Sequence, residues 1–305
     1  MQNINELRDI VTRVENDPTA FEDASAELVG KLEGMSGLKF RLLVSEFAAS
    51  MPEGLAYLEL GIYQGLTPLT VARRNPGMRV VGIDDFSQFD IEGKNLSRIN
   101  AAVEALDIRN FEFFDEDFES FLISDPADLK GKVGVYFFDA SHDYRSQILA
   151  LMHAPSWLAE GGIIIVDDCN YPHVRQATVD FLHTHPDYKL LCEFYTGKHP
   201  LYRKSSPSKQ KPSGILRRLI NKISRVAKQD QKQDPDHQHM RICKETWWNG
   251  VNIIVHDPLD TLAPIFPEVP EDLRAKFIRQ HGFAGCNAEN NVNRIAGIRQ
   301  VKEAL

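Results

Sequence analysis

Aspartates and a histidine follow two apolar segments in the middle of this chain. Asp139 comes directly after residues 133–138, His142 follows shortly after it, and Asp167 and Asp168 end a second apolar run. The carboxyl ends of neighbouring strands in an open parallel sheet face one crevice, so we expect these side chains to converge. Clustered carboxylates repel unless they are protonated or share a cation, and oxygen ligands suit Mg²⁺, Mn²⁺ or Ca²⁺. Imidazole titrates near neutral pH, which makes His142 a candidate general base beside this cluster.

A structural interpretation of the same residues stays open. Aspartates are common as helix caps and loop acids at such turns. His142 could cap a helix that begins near Tyr144. Spacing alone does not separate the two interpretations.

Two glycines after an earlier apolar run form a second motif. The segment Glu59-Leu60-Gly61-Ile62-Tyr63-Gln64-Gly65 joins a predicted strand to a predicted helix. Glycine permits a tight turn and close approach of a ligand, and the helix start offers free N–H groups. Glycines are common at strand–helix turns, so this motif alone is weak.

Acidic residues end the next two predicted strands. Asp84 follows Arg79–Ile83, at the distance from the glycine turn where nucleotide-binding folds place a carboxylate for ribose hydroxyls. Asp117 follows Phe111–Phe114, where it could meet the edge of an adenine ring. The alternative for both residues is a cap or a solvated loop acid.

Short apolar runs alternate with amphipathic stretches between residues 55 and 195, and one further apolar run lies at 251–256. This alternation predicts an α/β fold with a largely parallel, doubly wound sheet. The expected strands are Leu55–Leu60, Arg79–Asp84, Phe111–Phe114, Val133–Asp139, Ile163–Asp168, Leu190–Tyr195 and Val251–His256. The expected helices between them are Thr67–Arg74, Asn95–Leu106, Tyr144–Leu158 and Val174–His183.

Additions flank and interrupt this unit, which we place at residues 51–257. Residues 1–50 carry helical periodicity at Ile4–Val14, Ala20–Leu32 and Leu38–Ala48, which predicts a helical N-terminal extension. Residues 198–247 form a basic insertion before the last strand, with an amphipathic helix expected at 214–228. Residues 258–305 form a C-terminal extension with a helical stretch at Glu271–Gln280.

The composition is globular, with 43% hydrophobic and 26% charged residues. The chain has neither an apolar run of transmembrane length nor a secretory signal, and its four scattered cysteines favour a reducing, cytoplasmic setting. Residues 198–244 hold 13 Lys or Arg against 3 Asp, although the whole chain carries a net charge of −8. We therefore expect no nucleic-acid partner. Four interpretations of the insertion stay open: a lid, a peripheral membrane contact through 214–228, a site for an anionic partner, and a solvated loop.

Taken together, these motifs resemble the class I S-adenosylmethionine-dependent methyltransferases. The nearest likeness is to the branch of macrocin-type and other small-molecule O-methyltransferases and cephalosporin-hydroxylase-like proteins. It is carried by Glu59-Leu60-Gly61-x-x-x-Gly65, by Val81-Gly82-Ile83-Asp84, by Asp139-x-x-His142-x-Tyr144 and by Val166-Asp167-Asp168. The resemblance covers about residues 50–197 and the strand near 251–257.

The resemblance implies a Rossmann-like sheet of seven strands whose last strand is antiparallel. It implies that S-adenosylmethionine is bound by Glu59, Gly61, Tyr63, Gly65, Asp84, Asp117 and Asp139. It also implies Mg²⁺ or Mn²⁺ at Asp139, Asp167 and Asp168, with His142 and Asp139 as catalytic residues. The expected activity is methylation of a small-molecule hydroxyl, on a sugar, a polyketide or a related secondary metabolite.

Other functions stay open at this point. A hydroxylase-like relative that uses the metal and a non-catalytic nucleoside-binding scaffold would share the fold. A dinucleotide-dependent oxidoreductase is disfavoured, because Gly61-x-x-x-Gly65 lacks the Gly-x-Gly-x-x-Gly spacing of a pyrophosphate turn. The sequence determines neither the methyl acceptor nor the oligomeric state. A homo-oligomer stays open.

Overall fold

A computed structural model describes residues 4–195, 247 and 249–262, together with a short strand at 294–295. The expected helices at 214–228 and 271–280 lie outside the described residues. The domain boundaries at 51 and 257 stay predictions. No helix of the described part is long and apolar enough to cross a membrane.

A single mixed sheet forms the centre of the described protein. Its strands are β1 (Ala56–Leu60), β2 (Arg79–Ile83), β3 (Phe111–Phe114), β4 (Val133–Phe138), β5 (Leu158–Asp167), β6 (Tyr188–Phe194), β7 (Val251–His256) and β8 (Arg294–Ile295). Their order is β3-β2-β1-β4-β5-β7-β6-β8, and β7 runs antiparallel to both of its neighbours. The predicted doubly wound sheet with an antiparallel last strand is confirmed. The two-residue β8 is an addition at the edge that the sequence did not predict.

Seven helices accompany the sheet within the described residues. They are α1 (Ile4–Asn16), α2 (Leu38–Ala49), α3 (Leu66–Arg74), α4 (Asn95–Ala105), α5 (Phe118–Ser124), α6 (Tyr144–Trp157) and α7 (Pro172–Thr184). The short α5 was not predicted. Its start is capped by Asp117, whose carboxylate accepts hydrogen bonds from the backbone N–H groups of Glu119 and Ser120.

The helix expected at Ala20–Leu32 is wrong. After a short 3-10 turn at Pro18–Ala20 this segment consists of turns. Asp23 accepts hydrogen bonds from the backbone N–H and the hydroxyl of Ser25, and Gly30 adopts a φ of +96°. Local side-chain bonds and a left-handed glycine replace the helical hydrogen bonds that the apolar spacing suggested.

The N-terminal extension packs on the sheet. The ring of Phe40 in α2 lies 5.1 Å from that of Phe137 in β4. The segment before α2 then passes over the glycine turn, where a Cβ at Gly34 would lie 2.3 Å from a Leu66 methyl carbon. This tight fit holds residues 33–36 beside the carboxyl ends of the strands.

The registers of four strands bring the predicted site residues to one edge of the sheet. Leu60 of β1 pairs with Ile83 of β2 and Phe138 of β4, and Phe138 pairs with Val166 of β5. The residues that follow these strand ends therefore share the crevice. Because β7 is antiparallel, its beginning at Val251 also lies here, opposite Asp167.

Candidate active site

An acidic cleft of about 200 Å³ opens above this edge. Seven of its lining residues are acidic, and none of the described residues that line it is Lys or Arg. These acids are Glu33, Glu59, Asp84, Asp85, Glu116, Asp117 and Asp139. Such a cleft favours a cationic ligand, because clustered carboxylates focus a negative potential into it.

The glycine turn forms the floor of the cleft. Gly61 has a φ of +86°, and a Cβ there would lie 2.4 Å from the carbonyl oxygen of Asp139. Tyr63 also adopts a positive φ, of 51°, and its hydroxyl donates to Glu33 at 3.0 Å. Gly61 and Tyr63 line the cleft, whereas Gly65, at the start of α3, is not among its lining residues.

Asp84 lines the cleft but already accepts several hydrogen bonds. Its carboxylate accepts from the backbone N–H groups of Ile62 and Tyr63 at 2.9 and 2.8 Å, and from that of Phe86 at 2.8 Å. A carboxylate offers about four acceptor positions. Burial raises the pKa of Asp84, although the three N–H bonds oppose that rise. The structure therefore leaves little acceptor capacity for a ribose at Asp84 and shows that it also braces the glycine turn.

Asp117 combines the two roles that the sequence left open. It caps α5 through one carboxylate oxygen and also lines the cleft. Its place in the cleft is compatible with the expected adenine contact, which stays a prediction.

Glu59 lies deep at the base of the cleft. It is 2% exposed and accepts a 2.5 Å hydrogen bond from the Tyr57 hydroxyl. Burial raises the pKa of Glu59 well above its usual range, and the bond from Tyr57 only partly offsets this. Glu59 is thus a protonatable group beside the ligand space.

His142 and Asp168 lie in direct contact at one end of the cleft. Nδ1 of His142 lies 2.9 Å from Oδ2 of Asp168. Burial lowers the pKa of His142, but contact with Asp168 and the charges of Asp167 and Asp143 outweigh it, so the pKa is raised. The start of α6 is capped by Asp143, which accepts from the Ser146 N–H at 3.0 Å. The capping role considered for His142 belongs to Asp143.

Three titratable side chains meet at this end of the cleft, and the expected metal site at Asp139, Asp167 and Asp168 stays a prediction. Asp139, His142 and Asp168 each offer one ligand atom, and these atoms lie within 4.8 Å of one another. Asp167 is not part of this group, but its charge helps to raise the pKa of Asp139, after burial. Burial, together with the charge of Asp168, raises the pKa of Asp167 to about 8. Carboxylate oxygens suit Mg²⁺ or Mn²⁺, whereas an imidazole nitrogen in the donor set would favour a transition metal.

Backbone geometry explains how adjacent aspartates take different directions. Asp167 ends β5, while Asp168 adopts a left-handed conformation with a φ of 59°. Aspartate is one of the few residues that tolerate this region. The turn directs Asp168 toward His142.

Sequence reasoning missed Asn249, which touches this cluster. Its Nδ2 donates to Oδ1 of Asp168 at 2.5 Å, across 81 positions of sequence. The only sequence signal was the Asn249-Gly250 turn between the insertion and the last strand. Residues 33–36 of the N-terminal extension also line the cleft.

Comparisons with known proteins agree with this arrangement. Residues 58–169 match the family model of a methyltransferase domain. This match extends from β1 to the turn that carries Asp168. Residues 58–169 therefore resemble a methyltransferase domain, in agreement with the motifs of the sequence.

Several solved structures are similar at low identity. An O-methyltransferase from Bacillus cereus, solved in complex with SAH, is 13% identical, with 83% of this chain and 91% of that chain covered and a TM-score of 0.44. The O-methyltransferase NovP is 15% identical, with 51% and 76% covered and a TM-score of 0.41. PH0851 is 12% identical with a TM-score of 0.39, and 51% of this chain aligns with only 39% of that protein. No curated protein sequence matches the chain.

Proposed function

We propose that the protein transfers the methyl group of S-adenosylmethionine to a hydroxyl oxygen of a small molecule, with His142 as the general base. The observation that carries this proposal is the 2.9 Å contact between His142 and Asp168 at the end of the acidic cleft. An imidazole held by a carboxylate on one nitrogen can accept a proton on the other.

The charge of the cleft supports the cofactor. S-adenosylmethionine carries a positive sulfonium, and seven acids line the space with no Lys or Arg among its described lining residues. We place the cofactor along Gly61, Tyr63 and Asp84, with Asp117 toward the adenine. Glu59 and Asp139 lie at the base, where the methionine end would be held.

Proton transfer to His142 suits a direct displacement. The acceptor oxygen must lose its proton as it attacks the methyl carbon, and it must lie in line with the sulfonium. The Nδ1 atom of His142 faces Asp168, which leaves Nε2 for the acceptor. The raised pKa of His142 keeps the imidazole a stronger base than a free histidine.

The residues of the cluster fit a divalent cation. With His142 kept as the base, the carboxylates of Asp139 and Asp168 would hold Mg²⁺ or Mn²⁺, with Asp167 beside them. When bound, such a cation would lower the pKa of the acceptor hydroxyl and fix its orientation. The pKa values of Asp139 and Asp167 are raised, so binding of a cation would release protons from these acids.

Two measurements test the proposal. Calorimetric titration with S-adenosylmethionine and SAH, with and without Mg²⁺, should show cofactor binding in the wild type. A Mg²⁺-dependent heat should be lost in Asp168→Ala and kept in Asp143→Asn, whose exposed carboxylate lies outside the cluster. Unchanged Mg²⁺ binding in Asp168→Ala would remove the metal from the proposal.

Turnover with methyl-labelled S-adenosylmethionine against a panel of small hydroxyl compounds identifies the acceptor atom. We expect a methoxy signal in the product. A methyl group found on nitrogen or carbon would overturn O-methylation while leaving the methyltransferase class intact.

A further inference from the structure

We propose that Asn249 is a positioning residue that holds the Asp168 carboxylate toward His142. The inference rests on the proposed function, in which His142 accepts the proton. Nδ2 of Asn249 lies 2.5 Å from Oδ1 of Asp168, and His142 lies 2.9 Å from Oδ2. Each oxygen of this carboxylate therefore has one close polar neighbour, and rotation of the carboxylate would move it away from both.

The backbone around Asn249 brings its side chain to this point. The N–H of Asn170 donates to the Asn249 carbonyl at 2.8 Å, and the N–H of Cys169 donates to the Gly250 carbonyl at 3.2 Å. Gly250 has a φ of +90°, and a Cβ there would lie 2.4 Å from Oδ1 of Asn170. The two turns thus fit against each other without room for a side chain at Gly250.

Asn249 also contacts Tyr171, the second residue that lies against His142. Its side chain is hydrogen-bonded to Tyr171, whose ring stacks on that of His142 with centroids 6.2 Å apart. One buried amide therefore contacts both the carboxylate and the aromatic ring that flank the imidazole. This places Asn249 where it can fix the direction of His142 without touching it.

Packing alone does not account for an asparagine here. The residue is 2% exposed, and its Oδ1 is buried without a hydrogen-bond partner among the described residues. A buried acceptor without a partner costs stability. What distinguishes Asn249 from the other buried asparagine of this region, Asn252, is that its Nδ2 donates to Asp168.

Asn249 can be tested apart from cofactor binding, because it is not among the residues that line the cleft. The test is nitrogen NMR of the His142 imidazole in the full-length protein at one fixed pH, assigned by its loss in His142→Gln. In Asn249→Ala we expect the His142 resonances to shift toward those of an imidazole that exchanges between tautomers. The affinity for SAH should stay at the wild-type value.

Asn252→Ala is the matched control. Asn252 is an equally buried asparagine (0% exposed) on β7, three positions along from Asn249, and no hydrogen bond joins it to Asp168. This variant should leave the His142 resonances unchanged. If Asn249→Ala does not fold, the isosteric Asn249→Asp replaces the donor with an acceptor and should shift the same resonances.

Two outcomes would overturn the proposal. One is a wild-type His142 signal in the folded Asn249 variants. The other is an equal shift of the His142 resonances in Asn252→Ala, which would show that any loss of a buried asparagine here loosens the packing. Failure of the wild type to bind SAH would instead contradict the proposed cofactor, and the NMR result would still decide the role of Asn249.

Discussion

The α-carbon of Gly61 lies so close to the Asp139 backbone that a Cβ would come within 2.4 Å of the Asp139 carbonyl oxygen. The turn after β1 and the turn after β4 are therefore in backbone contact. The first belongs to the cofactor cleft and the second carries the acidic cluster. In the proposed reaction, their contact would set the distance between the methyl donor and His142.

We predict that Gly61→Ala lowers the free energy of unfolding by about 2–4 kcal/mol, because it combines overpacking with a strained positive φ. Binding of SAH should be lost as the two turns move apart. Urea unfolding and calorimetry would measure both effects. Gly77→Ala is the control, since Gly77 has open space around it and no positive φ. Equal stability of the two variants would contradict the steric argument.

A second prediction concerns the base. His142→Gln should lower the methyl-transfer rate by about 10²–10⁴-fold, the usual contribution of a positioned general base, while SAH binding is largely kept. His173→Gln is matched to it, because the His173 ring also stacks on Tyr171, with centroids 5.5 Å apart, and no ion pair joins it to Asp168. Comparable loss of turnover in both variants would point to the ring stack rather than to the base.

The sequence predicted the sheet well because strands buried on both faces leave a strong apolar signal. It predicted the convergence of Asp139, Asp167 and Asp168 for the same reason, since parallel strands in register end at one edge. The helix at Ala20–Leu32 was wrong because Asp23 and Gly30 form local turns that apolar periodicity does not register.

The detailed composition of the cluster was beyond the sequence. The side-chain direction of Asp168 depends on a left-handed backbone conformation. An aspartate tolerates this conformation, but its presence in the sequence does not predict it. The contact of Asn249 depends on the antiparallel pairing of β5 with β7, which joins residues far apart in the chain. Both facts belong to tertiary structure. Reasoning from the ends of strands therefore placed Asp167 beside Asp139 and Asp168, whereas the structure places His142 beside them.

A third prediction follows from the buried acids. The pKa of Asp167 is raised by burial and by the Asp168 charge from an ordinary 3.8 to about 8, and those of Asp139 and Glu59 are raised by burial as well. Between these two pH values the folded protein holds a proton that the unfolded chain releases. The free energy of unfolding should therefore fall as the pH rises from about 4 to about 8.

Thermal unfolding across this window would measure the slope, and Asp167→Asn should make it shallower. Added Mg²⁺ should restore stability more at the alkaline end, where the carboxylates are free to bind it. An identical slope in Asp167→Asn would show that Asp167 does not titrate as its burial implies.

The last prediction concerns a buried ion pair behind the site. Arg175 of α7 lies 3.0 Å from Glu193 of β6, and the two side chains are 6% and 0% exposed. Glu193→Ala would leave the guanidinium buried without its carboxylate, which should lower the free energy of unfolding by about 3–5 kcal/mol. The Arg175→Met/Glu193→Leu double variant should recover most of that loss, because two apolar side chains of similar volume need no charge partner.

Asp107→Ala is the control for this pair. Asp107 pairs with Arg109 at 2.8 Å on the surface, with side chains 75% and 83% exposed, where solvent screens the interaction. Denaturant unfolding should show no measurable change for that variant. If Glu193→Ala were as stable as Asp107→Ala, the buried pair would contribute no more than a surface one. The ends of β6 and α7 near the Asp168 turn would then be held by apolar packing alone.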